Sequence, residues 1–255
     1  MKKNIIFIPA IDAGRGRNHS YKYSIDSWKK WGDKNNAEVL VWDTALYTWE
    51  EMTIPWQRYH LFKILDHNGI EFDQVLMVDS DTIVHPDTPN FFEMNERKYT
   101  GVLDLGCWEW TGRSLRHYKD MFDDYKLDRG MYFNGGFQIV NESHREFFDY
   151  VLDFYFKNQE TLVEKQKAGL GTDQTVINYL AQTQGIDLKM LPATFNLHHM
   201  SSKNLLNFGQ SWWGDSMENL YEQAWVYHFN AIPRNNLDRS SAYFIKRAYE
   251  DLWEN

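Results

Sequence analysis

The stretch Gln74-Val75-Leu76-Met77-Val78-Asp79-Ser80-Asp81-Thr82-Ile83-Val84 constrains this chain more than any other segment of the sequence. Its apolar run reads as a strand buried on both faces, the kind found inside a parallel or mixed sheet. Ligands of such sheets gather outside the carboxyl ends of the strands, and here two carboxylates, one residue apart, arrive at that edge. Asp79 and Asp81 are therefore candidate metal ligands. Hard divalent cations, Mg²⁺ or Mn²⁺, accept a carboxylate pair and keep positions open for phosphate oxygens. The plainer alternative is a turn, since Asp and Ser commonly end strands that way.

The chain has 255 residues, 43% hydrophobic and 25% charged, enough to bury the core of one large α/β domain. Its formal charge of -9 argues against a broad basic surface for nucleic acid. Aromatic residues make up 16%, including 11 Trp; core packing accounts for most of them, and the surplus is available to line a binding site. The apolar run from Ile5 to Ile11 is broken by Pro9 and is too short for a membrane span or the apolar core of a signal peptide. Cys107 is the single cysteine and can form no internal disulfide. A cytoplasmic location is the expectation, with peripheral association with a membrane left open.

Periodicity predicts strands over residues 4–10 and 37–42 and helices over 20–34 and 54–67, so strand and helix alternate before the acidic edge. That alternation implies a Rossmann-like sheet, mostly parallel, with crossover helices. Gly14-Arg15-Gly16 lacks the third glycine of a dinucleotide fingerprint. Further strands are expected over 99–103, 137–140 and 188–191. Helices are expected over 143–158, over 172–184 with Thr172 as cap, and over 238–253. Residues 194–214, rich in Asn, His, Ser and Trp, read as irregular.

Four further segments carry chemistry. Phe133-Asn134-Gly135-Gly136 places two glycines before a strand, where a ligand can approach the backbone. Gly171-Thr172-Asp173-Gln174 sits at a helix start, whose N–H groups favour anionic or polar partners. Tyr227-His228-Phe229 supplies an imidazole, and Arg58 lies on the helix before the acidic strand. Taken singly, each has a structural explanation: a turn, a first-turn acid, a core histidine, a solvated helix face.

Their order resembles the glycosyltransferases of family eight, which include glycogenin and bacterial galactosyltransferases of lipooligosaccharide synthesis, over residues 4–235. The resemblance implies a GT-A fold in one glycosyltransferase domain, with a nucleotide-binding half over about residues 1–105 and a sugar- and acceptor-binding half over 106–255. It implies that Asp79, Asp81 and His228 bind Mn²⁺ (or Mg²⁺) bridging the diphosphate of a nucleotide-sugar donor, with a carbohydrate or other hydroxyl acceptor as the second substrate. Asn134, Gly135 and Ser80 would contact the donor. Asp173 would hold the sugar hydroxyls and Gln174 would stand near the anomeric carbon, the two forming the catalytic pair. A basic residue before the acidic strand would contact the sugar or diphosphate: Arg58 by the apolar pattern around it, or Lys63 by its spacing to Asp79.

The sequence also departs from that family. After His228-Phe229 the usual Gly and Lys-Pro-Trp give way to Asn230-Ala231-Ile232-Pro233-Arg234-Asn235, so that, by the resemblance, Arg234 would stand in for the diphosphate-binding Lys. The leading expectation is a metal-dependent transfer of a sugar, UDP-linked, to a carbohydrate or other hydroxyl acceptor with retained anomeric configuration. A sugar nucleotidyltransferase and a non-catalytic carbohydrate-binding protein are the alternatives. Trp212 and Trp213 are the candidate acceptor platform, and His198-His199 a weaker candidate for a second metal site.

Overall fold

A strand that is apolar at every position sends alternate side chains to opposite faces, and each face needs its own cover. The computed structural model describes residues 2–12, 18–104, 108–198, 221–230, 232 and 240–254. In it, β1 (Lys3–Pro9) sends Ile5 and Phe7 into one core and Ile6 and Ile8 into another. β3 (Phe72–Val78) divides Val75 and Met77 from Leu76 and Val78 in the same way. The first core is closed by α2 (Ile54–Gln57), α3 (Leu61–His67), α6 (Arg145–Lys157) and α8 (Gln174–Thr183). The second is closed by α1 (Asn18–Lys34), whose Trp28 and Trp31 are fully buried, and by α4 (Phe91–Met94), whose Phe91 stacks on Trp31 with ring centroids 4.4 Å apart.

The central sheet has six strands in the order β2, β1, β3, β6, β5, β7. They include β2 (Ala37–Trp42), β5 (Tyr99–Leu103), β6 (Phe133–Asn141) and β7 (Leu188–Leu191). β1 runs parallel to β2 and β3, and β5 parallel to β7, whereas β6 is antiparallel to both of its neighbours. The result is a mixed, mostly parallel α/β sheet flanked by helices. A separate antiparallel pair, β4 (Thr82–Val84) with β8 (Val226–His228), packs under α9 (Ser241–Trp253) through Ile83, Tyr227, Phe229 and Phe244. Among the described residues, no helix is long and apolar enough to cross a membrane.

Residues 74–84 are not one strand. The ladder takes a last step as Asp79 N–H donates to Gly136 O at 3.1 Å, then the chain turns at Ser80 and enters the second sheet at Thr82. The corner is pinned where Thr82 Oγ1 donates to Asp79 O at 2.7 Å and Trp28 Nε1 donates to Thr82 Oγ1 at 2.9 Å. The helix expected over 54–67 is interrupted by a 3₁₀ turn, Arg58–His60. β6 begins at Phe133, so Asn134, Gly135 and Gly136 lie inside a strand rather than before one. Thr172 does not cap α8: the helix starts at Gln174 with Asp173 at the cap position, and Thr172 Oγ1 instead donates to Asp173 Oδ1 at 2.9 Å. The helices α5 (Trp108–Tyr118) and α7 (Gln159–Gln166), and the strand β8, have no counterpart in the sequence reading.

Candidate active site

The break between β3 and β4 makes the site, because it leaves Asp79 at the end of one sheet and Asp81 at the start of the other. β8 then lies antiparallel to β4 with Thr82 opposite His228, and Phe229 N–H donates to Asp81 O at 2.9 Å. This register brings His228 Nε2 to 3.0 Å from Asp81 Oδ1 and 3.4 Å from Asp79 Oδ2. Asp79, Asp81 and His228 each offer one ligand atom, and these atoms lie within 4.8 Å of one another. His228 Nε2 is buried and satisfies a hydrogen bond to neither carboxylate, so the donor set fits a cation placed between the three. On the other side of the ring, Nδ1 stands 3.1 Å from Asn196 Oδ1, a partner that fixes the ring's orientation.

Gly136 packs against this group. A Cβ there would stand 2.5 Å from His228 Cε1 and 2.6 Å from Asp79 Oδ2. Burial alone opposes charge on His228, but Asp81 and Asp79 outweigh it and hold the imidazole protonated, with its pKa raised to about 10.

Arg58 joins the metal group to a second cluster. Its Nη1 lies 2.8 Å from Asp79 Oδ1 and donates to Gly135 O at 2.7 Å, while Nε lies 3.7 Å from Asp173 Oδ2. The guanidinium is buried, which disfavours charge, yet Asp79 and Asp173 more than reverse that effect and raise its pKa. Asp79 responds in kind: burial would raise its pKa, and Arg58 followed by His228 drives it well below the usual carboxylate range. Lys63, the alternative basic residue, points elsewhere, pairing at 3.7 Å with Asp149 where both side chains are exposed.

The second cluster surrounds Asp173 and Gln174 at the start of α8. Asp173 Oδ2 accepts from Tyr59 OH at 3.2 Å. Gln174 Oε1 accepts from Gly135 N–H at 3.0 Å and Asn134 Nδ2 at 3.1 Å, and its Nε2 donates to Asp104 Oδ2 at 2.7 Å. Asn134 Oδ1 accepts from Gly136 N–H and from Asn196 Nδ2, each at 2.9 Å. Ser80 is buried and borders a cleft that runs from Asp79 and Asp81 past Tyr21, Trp49 and Pro55.

The structure thus brings Arg58, Asp79, Asp81, Asn134, Gly135, Asp173, Gln174 and His228 together, with Ser80 at their edge. Trp212, Trp213, Arg234 and His199 lie outside the described residues. The sequence reading missed Tyr59, Asp104 and Asn196, and treated His198 only as a weak metal candidate. Asp104 had a signal, for it closes the apolar strand β5 as Asp79 closes β3. Asn196 and Tyr59 carried none, being single polar atoms recruited across the fold.

No protein-family model matches this chain, and no curated protein matches it. Solved structures do. A glycosyltransferase involved in the glycosylation of the major capsid of PBCV-1 superposes with a TM-score of 0.59 at 11% identity, over 95% of this chain and 98% of that one. The glycosyltransferase GlyE of Streptococcus pneumoniae TIGR4 gives 0.50 at 13% identity, over 100% of this chain and 60% of that one. The galactosyltransferase LgtC, crystallised with donor and acceptor sugar analogs, gives 0.49 at 14% identity, over 98% and 96%. The likeness to the first establishes a shared fold of the GT-A kind.

Proposed function

We propose that the protein is a glycosyltransferase that moves a sugar from a nucleoside diphosphate donor, UDP-linked, to a hydroxyl acceptor. The observation that carries this reading is the convergence of Asp79, Asp81 and His228 Nε2 beside the Arg58, Asp173 and Gln174 cluster, on a GT-A fold. Asp79, Asp81 and His228 would hold Mn²⁺ or Mg²⁺. When bound there, the ion would neutralise charge that builds on a departing diphosphate.

The chain's own residues supply the rest. Arg58 holds Asp79 and Asp173 in fixed relation, so the metal ligands and the sugar pocket move as one body. The cleft past Tyr21 and Trp49 takes the nucleoside, which leaves the donor sugar toward Asn134, Asp173 and Gln174. There Asp173 accepts hydrogen bonds from sugar hydroxyls and the Gln174 carboxamide borders the anomeric carbon. With retention of configuration, as the family resemblance implies, acceptor and leaving group share one face of the sugar. No strong enzymic nucleophile is then required, and a carboxamide would be a poor one.

The test is a panel of UDP-, GDP- and CDP-sugars with and without Mn²⁺, read by thermal shift and by donor hydrolysis. A Mn²⁺-dependent donor hydrolysis that disappears in Asp81→Ala is the expected result. Release of pyrophosphate from a nucleoside triphosphate and a sugar 1-phosphate would sink the reading in favour of a nucleotidyltransferase. Sugar binding with no turnover across the panel would sink it in favour of a lectin.

A further inference from the structure

Asp104 and His198 stand outside the metal group, yet both side chains are withdrawn from water. The carboxylate is 1% exposed and the imidazole 2%, with His198 Nε2 lying 3.3 Å from Asp104 Oδ1. Asp104 is anchored by its own N–H, which donates to Tyr132 O at 2.9 Å. Its other oxygen, Oδ2, accepts from Gln174 Nε2 at 2.7 Å and from Asn134 Nδ2 at 3.4 Å.

These contacts decide which way the Gln174 carboxamide faces. An ionised carboxylate only accepts, so the amide nitrogen must turn to Asp104; a backbone N–H only donates, so the amide oxygen must turn to Gly135. The amide nitrogen also donates to Tyr132 OH at 3.2 Å, and that hydroxyl meets Thr175 Oγ1 at 2.8 Å. Orientation therefore depends on Asp104 staying in place as an acceptor.

His198 is delivered to Asp104 by a segment that also serves the metal group. Leu197 N–H donates to Val226 O at 2.8 Å and Leu197 O accepts from His228 N–H at 2.9 Å, fixing this stretch against β8. Asn196, two residues before His198, orients His228 through Oδ1 and Asn134 through Nδ2. One short stretch thus addresses the metal-side imidazole with Asn196 and the sugar-side carboxylate with His198.

We propose that His198 is a positioning residue: paired with Asp104, it commits that carboxylate to Gln174 and so sets the orientation of the Gln174 carboxamide without touching substrate. The proposal rests on the glycosyl-transfer reading insofar as Gln174 borders the reacting sugar. Without His198, the buried Asp104 carboxylate loses a partner and is free to turn to another donor, which releases the amide.

Two variants separate this role from packing. His198→Gln keeps an N–H donor near the place of Nε2, whereas the shorter His198→Asn does not reach it. The readouts are donor-hydrolysis kinetics and the side-chain ¹H–¹⁵N signals of Gln174, identified by their loss in Gln174→Glu. His198→Asn is expected to lower kcat about ten- to a hundred-fold with donor KM within about two-fold, and to shift the Gln174 amide signals. His198→Gln is expected to stay within about three-fold of wild type and keep those signals. Wild-type kcat or unshifted Gln174 signals in His198→Asn overturn the proposal, as does equal loss in both variants. Should His198→Asn lose its near-UV circular dichroism, Asp104→Asn replaces it, with the same expectations and the same overturning results. A wild-type protein that hydrolyses no nucleotide sugar removes the glycosyl-transfer reading, and the Gln174 signals alone then decide the positioning claim.

Discussion

Gly136→Ala tests whether the three candidate ligands are held as closely as the packing requires. Gly136 lies within β6 and outside the left-handed region, so alanine meets no backbone penalty there. The conflict is steric. The added Cβ would stand 2.5 Å from His228 Cε1 and 2.6 Å from Asp79 Oδ2, about 1 Å inside the separation at which such atoms rest. Neither neighbour yields easily, because His228 is oriented by Asn196 and Asp79 is paired with Arg58 at 2.8 Å. β6 itself is paired on both sides, so the strain falls on the ligands. Overpacking of this kind costs about 1–3 kcal/mol, and the displaced imidazole should weaken Mn²⁺ binding about ten- to a hundred-fold. Gly135→Ala is the control, since its Cβ would meet Gln174 Cβ at 3.6 Å and Asp173 Oδ2 at 3.8 Å, ordinary contact distances. Urea unfolding gives the stability and isothermal titration with Mn²⁺ gives the affinity. Wild-type Mn²⁺ affinity in Gly136→Ala, or an equal loss in Gly135→Ala, refutes the reasoning.

Arg58→Met leaves the buried Asp173 and the partly buried Asp79 without their shared cation and is expected to cost about 3 kcal/mol in urea unfolding; a loss under about 1 kcal/mol would contradict the pairing. Mn²⁺ must displace the proton from His228, whose pKa is raised to about 10. Affinity should therefore climb about tenfold per pH unit between pH 7 and 9, and a flat titration series counts against the imidazole as ligand. His60 and His144 are kept neutral chiefly by burial, with pKa values lowered to about 4, and His144 Nδ1 accepts Asn141 N–H at 3.0 Å, which needs the unprotonated nitrogen. Because their folded pKa values lie below the ordinary 6.5, the stability they contribute is complete above that pH and is lost as pH falls from 6.5 toward 4. Asp79, also depressed, adds its loss only below its ordinary value of 3.8. Stability should fall between pH 7 and 4; a level urea profile across that window excludes the buried neutral imidazoles.

Strands β2, β5 and β7 were legible to the residue, because each is a short β-rich run bounded by polar or turn-forming residues. β6 was read to begin four residues late since Asn134-Gly135-Gly136 has the composition of a turn. In the fold those glycines make room for neighbouring side chains: Gly136 for His228 and Asp79, Gly135 for Gln174. The interior of a site can therefore look locally like a loop. Helix α5 escaped because polar residues and Gly112 interrupt its apolar face. Asp104 and Gln174 are 70 residues apart and Tyr59 and Asp173 are 114 apart, so local periodicity carries no trace of either pair.

What sequence order could not supply was register, and register decides whether the ligands meet. Side chains along a strand alternate in direction, so a slip of one residue between β4 and β8 would turn His228 away from Asp79 and Asp81. Three residues make a short strand, and β4 and β8 together are a bare two-stranded pair of the kind that is marginal alone. The pairing is instead held from outside. Trp28 Nε1 donates to Thr82 Oγ1 and Trp253 Nε1 to Val84 O, each at 2.9 Å, fixing β4 from α1 and from α9. On β8, Tyr227 OH donates to Ala224 O at 2.6 Å, and Leu197 bonds the strand's free edge. Tryptophans far from the candidate ligands in sequence thereby govern the geometry of the cation site, which gives part of the chain's high aromatic content a role beyond filling the core.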